Sequence, residues 1–181
     1  FDKEIFEAAH AFAKGAKPKV GTKALQYYEH VKNLNNVIWK KMKAAGLDVK
    51  YRRDFLIKRT YDIKKMLGKN TSLDEARKKW VKDMKENFID AEAMFSPSQL
   101  ESSTAVDEVL GKIFNDIYEA RTDYSTLDID GSKSALKLLK GRKIEFKSGA
   151  AEFEFSNKYG DSGTLYQKMA INIDRAAKTI A

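Results

Sequence analysis

Gly160-Asp161-Ser162-Gly163 is the tetrapeptide that surrounds the nucleophile of chymotrypsin-like proteases. Acyl transfer by such a serine needs a histidine base held by an aspartate. The chain has two histidines, His10 and His30, and the surrounding pattern is helical, so Ser162 reads as a helix N-cap with Gly160 ending the helix before it. Asp128-Ile129-Asp130-Gly131 has the flavour of a calcium loop. Aligning its glycine, however, puts Thr126 at the first ligand position and Lys137 where a bidentate glutamate belongs, so it reads as a turn. His10 and His30 share neither a helix face nor a metal-ligand spacing, and there is no cysteine. Glu152 with Glu154, and Asp90 with Glu92, are two apart and diverge on a helix, which spoils them as acid/base pairs. No glycine-rich phosphate loop is present. These residues predict no catalytic site, no metal and no cofactor.

The remaining candidate is a basic segment. From Lys50 to Lys69 eight basic residues face two acidic ones, and Tyr51, Phe55 and Tyr61 interleave with Arg52, Arg53, Lys58, Arg59, Lys64 and Lys65. Cations at this density bind phosphates, and rings stack unpaired bases, so the segment is a candidate nucleic-acid-binding arm. In the other reading the aromatics anchor a connecting segment to the core while the cations solvate it. The second reading is favoured, because charge runs are commonly solvated faces.

The elements that must carry these residues are helical. The 181 residues include two prolines and ten glycines, with abundant Lys, Ala, Glu, Leu and Ile, which favours helix over sheet. We expect a mainly α fold, an irregular multi-helix bundle with at most a small β-hairpin or edge strand involving Ile144 to Phe146 and the Tyr51 to Ile57 arm. A first helix over Asp2–Lys14 carries Ile5, Ala8, Ala9 and Phe12 on one face. Thr22 caps a long second helix whose stripe is Leu25, Tyr28, Val31, Leu34, Ile38 and Met42, closed by Gly46. Ser72 opens a helix with Leu73, Ala76, Trp80, Met84 and Phe88 inward. Thr104 and Asp107 open another with Val106, Leu110, Ile113 and Ile117 buried. A short helix spans Ser132 to Lys140. Residues 95–104 and 122–131 read as flexible loops. In the last helix Leu165, Met169, Ile173, Ala176 and Ile180 recur at steps of four, four, three and four, a face that must find a partner.

The formal charge is +8, which raises a polyanion partner as a hypothesis. No run approaches the roughly 20 apolar residues of a membrane span, so no integral membrane segment is expected. The chain starts at Phe1 and its last helix runs to Ala181, as expected of a single helical domain, residues 1–181, excised from a larger protein.

Phe146-Lys147, Phe155, Lys158-Tyr159-Gly160 and a closing helix ending Asp174-Arg175-Ala176-Ala177-Lys178-Thr179-Ile180-Ala181 resemble a helical segment that recurs in large tailed-bacteriophage and prophage proteins of the internal virion, or ejection, type. The resemblance centres on residues 141–181. It extends to residues 44–80 through Ala44-Ala45-Gly46, Tyr51, Arg59-Thr60-Tyr61-Asp62-Ile63-Lys64-Lys65 and Trp80. It implies a non-catalytic structural or interaction module of a virion-associated protein, delivered with the genome, located in the virion or the host bacterial cytoplasm, with self-association or a protein partner. The alternatives are a nucleic-acid-binding module using the 50–69 arm, and an enzyme or toxin domain with an unrecognised site.

Overall fold

The computed structural model describes residues 1–48, 61–122 and 144–180. Among these, nine α-helices follow in order: α1 (Asp2–Ala13), α2 (Thr22–Ala44), α3 (Ile63–Leu67), α4 (Leu73–Asp83), α5 (Ala91–Met94), α6 (Pro97–Leu100), α7 (Ser103–Thr122), α8 (Gly149–Tyr159) and α9 (Leu165–Ile180). The fold is mainly α, and the described residues contain no strand. One antiparallel bridge pairs Ile89 with Phe146. Where the sequence reads as one domain, the chain divides into two compact units. The first comprises Phe1–Thr60, Leu127–Gly141 and Gly163–Ala181; the second comprises Tyr61–Thr126 and Arg142–Ser162.

In the first unit α1 and α9 both pack on α2. The α2 face that meets them is Ala24, Tyr28, Val31, Asn35, Ile38 and Met42. This differs from the expected stripe at two positions: Ala24 is buried in place of Leu25, which is half-buried, and Leu34 turns outward while Asn35 takes the inward place. Thr22 is the first helical residue, with Gly21 in the cap position, and Gly46 leaves the helix with φ +80°. Polar contacts pin the helix ends. The Glu4 carboxylate accepts the Gly21 N–H at 2.9 Å, and the Asp2 carboxylate accepts the Leu165 N–H at 3.2 Å, a favourable place for an anion at the start of a helix. Phe12 stacks on Tyr28 with ring centroids 5.3 Å apart, and Phe1 meets Tyr27 edge-on.

The second unit is built around an aromatic core. Trp80, Phe88, Phe146, Tyr159 and Tyr61 all pack against Phe155, which is fully buried on α8. The α4 helix starts with the expected capping box, in which Ser72 and Glu75 satisfy each other's backbone N–H groups. Leu73, expected inward, is exposed; Ala76, Trp80 and Val81 face the core. After Asp83 the helix widens into a π-helical turn, Met84–Phe88, closed by the Ile89 N–H on the Met84 carbonyl. Seven residues make almost two regular turns, so an unbroken α-helix would bring Asn87 into line with Trp80. The wider turn turns Phe88 inward instead and leaves Asn87 exposed.

The short extended piece Ile144–Phe146 finds its partner here. Asp90 N–H donates to Glu145 O at 2.8 Å and Lys147 N–H donates to Phe88 O at 3.0 Å, so the expected β-pairing is with the residues after the π turn. The Tyr51 to Ile57 arm lies outside the described residues. Pro97–Leu100 is helical within the 95–104 stretch and packs on α7, with Phe95 buried beside it. On α7, Val106, Leu110 and Ile117 are buried as expected, but Phe114 is the fully buried fourth residue, and Ile113, expected inward, is only partly buried at the edge of the core. Its capping side chain is Ser102, whose hydroxyl accepts the Ala105 N–H, rather than Thr104.

Charge is shared unequally between the units. The first holds 20 Lys and Arg against 9 Asp and Glu, a net +11; the second holds 14 against 17, a net −3.

Candidate functional site

Of the arm residues, Tyr51, Arg52, Arg53, Phe55, Lys58 and Arg59 lie outside the described residues, while Tyr61, Lys64 and Lys65 begin the second unit. Tyr61 meets the Phe155 ring edge-on at 6.1 Å. Lys65 Nζ donates to the Gly160 carbonyl at 2.8 Å, placing a cation against the negative end of α8. Asp62 caps α3 by accepting the Lys64 and Lys65 N–H groups, and its own N–H donates to Tyr159 O. At this end of the segment the ring anchors to the core and Lys65 caps a helix. Lys64 alone of the three is exposed.

The other chemical candidates disperse. Ser162 is exposed and α9 begins after it; the helix cap is Thr164, whose hydroxyl accepts the Gln167 N–H while the Gln167 side chain accepts the Thr164 N–H. Gly160 is extended, at φ −87°, and the glycine with positive φ is Gly163, at +128°. The 122–131 loop after Thr122, with its Asp128 to Gly131 turn, and the Ser132 to Lys140 helix lie outside the described residues. Asp90 caps α5 by accepting the Ala93 N–H. Among the described residues no three His, Cys, Asp or Glu side chains are grouped to hold a metal ion, and no helix is long and apolar enough to cross a membrane.

One polar cluster went unread in the sequence. Asp83, 12% exposed at the end of α4, accepts from the Tyr159 hydroxyl, from Lys158 Nζ at 2.7 Å and from Asn87 Nδ2 at 2.8 Å. Nothing in the local pattern couples positions 83 and 158. Burial alone would raise the Asp83 carboxyl, but these three donors hold it below the ordinary carboxylate value. Burial first, then the bond to Asp83, pushes the Tyr159 phenol well above its ordinary value. Lys158 also lies 5.9 Å from the Phe88 ring centroid. A shallow groove beside the cluster, about 450 Å³, is lined by Asn87, Lys147, Ser148, Glu154 and Lys158 among others.

The arrangement is a lock between α4 and α8, and it sets a pH window. A depressed carboxyl contributes stability above its unfolded pKa, lost as pH falls through the folded one. A raised phenol contributes below its unfolded pKa, lost as pH rises. The second unit is therefore expected to be most stable between about pH 4 and pH 10, the ordinary values of the two groups. Urea midpoints read from Trp80 emission in a Trp39→Phe background test this, and Tyr159→Phe should flatten the alkaline limb. A limb of unchanged slope in that variant would refute the assignment.

In the first unit the C-terminal helix has a second feature. Leu165, Met169, Asn172 and Ala176 face α2, with Tyr27 OH donating to Met169 Sδ at 3.6 Å. Ile173, expected on that face, points outward instead and is 36% exposed. It belongs to another line: Tyr166, Ala170, Ile173, Ala177 and Ile180, at steps of four, three, four and three. Tyr166 is 72% exposed, Ala170 and Ala177 are exposed, and Ile180 is half-buried. Ile171, 49% exposed, stands apart from both lines. The helix thus carries a second apolar line besides the one that α2 covers.

No protein-family model matches the chain, and neither a curated protein nor a solved structure matches it significantly.

Proposed function

We propose that this chain is a non-catalytic structural and interaction module of a phage or prophage virion-associated protein, and that it joins a second copy of itself through the outer stripe of α9. The virion origin rests on the resemblance of residues 141–181 and 44–80. The self-association rests on the 4-3-4-3 spacing of Tyr166, Ala170, Ile173, Ala177 and Ile180, which is the period of a coiled-coil seam.

The stripe is complementary to itself. If two copies of α9 run antiparallel about a two-fold axis, Tyr166 of each faces Ala177 of the other and Ala170 faces Ile173, so that each of these layers sets a large side chain against a small one, with Ile180 beyond the overlap. A parallel pairing would stack Tyr166 on Tyr166 and leave gaps between the alanines. The contact is small. Sixteen residues span roughly 24 Å of helix, and one helix pair of that length falls below the roughly 1,200 Å² of a standard stable interface. The resulting dimer is weak and concentration-dependent, suited to a chain held at high local concentration in an assembly.

Analytical ultracentrifugation from low micromolar to millimolar protein tests this. The wild type should pass from monomer to dimer. Ile173→Glu, which places two carboxylates in the seam, should weaken the dimer tenfold or more, about 1.4 kcal/mol. Asn33→Glu on the exposed side of α2 serves as the control and should leave it unchanged. A wild type that stays monomeric throughout, or an Ile173→Glu variant that dimerises as well as the control, would sink the proposal.

A further inference from the structure

The charge excess lies in the first unit, and its described part concentrates in one place. From Ala8 to Tyr28 the chain has no carboxylate and carries Lys14, Lys17, Lys19 and Lys23, with Lys32 one turn beyond. These lysines surround the turn between α1 and α2. Lys14, Lys17, Lys19 and Lys23 are exposed, and Lys17, Lys19 and Lys23 have no carboxylate partner among the described residues. A groove of about 630 Å³ opens beside the turn, lined by Phe12, Lys17, Pro18, Leu25, Tyr28 and Lys32. Two flanking carboxylates are already engaged: Glu4 accepts the Gly21 N–H, and Glu29 pairs with Lys32 at 3.2 Å; Glu7 precedes the stretch on α1.

We infer that this turn, a stretch of chain other than the Lys50 to Lys69 arm, is a docking surface for the phosphate backbone of a nucleic acid. Lysines without local counter-charge release condensed counterions when they meet a phosphate backbone, and that release supplies the affinity. The rings beside the groove are not free to read bases: Phe12 is stacked on Tyr28 and approached by Lys32 Nζ at 5.8 Å. Binding is therefore to backbone and independent of sequence. A bilayer fits less well, because the exposed residues of the turn are lysine, glycine, alanine and threonine, with no large apolar side chain to insert.

The test is fluorescence anisotropy with a labelled DNA duplex of mixed sequence over a salt series, using the full chain. Three phosphate contacts, by Lys17, Lys19 and Lys23, give a slope of log affinity on log salt of about −2.7, at about −0.9 per contact. Lys17→Glu/Lys19→Glu/Lys23→Glu should reduce the slope by about 2.7 and weaken binding at least tenfold at low salt. Lys78→Glu/Lys82→Glu/Lys112→Glu, an equal charge change in the second unit, should leave both nearly unchanged, and circular dichroism checks that each variant remains helical. The inference fails if the wild type does not bind the duplex at low salt, or if the two triple variants lose affinity equally. It also fails if Arg52→Glu/Arg53→Glu/Lys58→Glu/Arg59→Glu abolishes binding while the turn variant retains it, or if anionic vesicles are bound and the duplex is not.

Discussion

Phe155→Ala is expected to destabilise the second unit by about 3–5 kcal/mol, the range for removing a large aromatic from a packed core. Phe155 is fully buried, and Tyr61, Trp80, Phe88, Phe146 and Tyr159 all contact its ring. Those partners come from four separate stretches of chain, so the space cannot close by moving one of them. Domain stabilities are about 5–15 kcal/mol in total, and this single loss would leave the unit near its unfolding midpoint in mild denaturant. Each unit carries one tryptophan, Trp39 in the first and Trp80 in the second. Trp80 emission in a Trp39→Phe background therefore reports the second unit. A midpoint within experimental error of the parent would show that Phe155 is not the centre of its packing.

The second large effect is expected at Asp83. Asp83→Ala should cost about 2–3 kcal/mol, because it leaves the hydroxyl of the buried Tyr159 without its acceptor and removes a charge-assisted bond from Lys158. Asp83→Asn keeps an acceptor for Tyr159 and should lose less than half of that. The comparison separates a hydrogen-bonded lock from a simple ion pair, since exposed ion pairs contribute about 1 kcal/mol or less. If Asn proved as damaging as Ala, the negative charge rather than the acceptor would be the stabilising feature.

Helices whose ends are written locally were legible. Ser72 with Glu75 three residues on, and the Val106, Leu110, Ile117 spacing, each use contacts within one or two turns, and each reappears in the structure. The errors share a cause. In α2 and α9 the reading assigned the inward place to the nearest apolar residue, Leu34 and Ile173, whereas Asn35 and Asn172 occupy it. A buried asparagine is tolerable when its polar group is satisfied, and a pattern of apolar residues does not show where that happens; both asparagines have interactions in the fold. The C-terminal caps misled similarly: Ser162 and Gly160 are good cap residues by type, but the box that forms needs Thr164 with Gln167 three residues later. The Asp83 cluster joins residues 76 positions apart and has no local signature at all. Of the basic arm, Tyr61 and Lys65 serve packing and capping, which composition cannot tell apart from ligand contact.

The π-helical turn has a consequence for descent. Met84–Phe88 holds one residue more than a regular helix would need to bring an aromatic into line with Trp80. A cousin of this gene lacking one codon there would carry its phenylalanine seven places after the tryptophan, close to two full α turns, and could keep the same ring packing without any wide turn. Kinship to this chain would then show as a one-residue gap inside a helix.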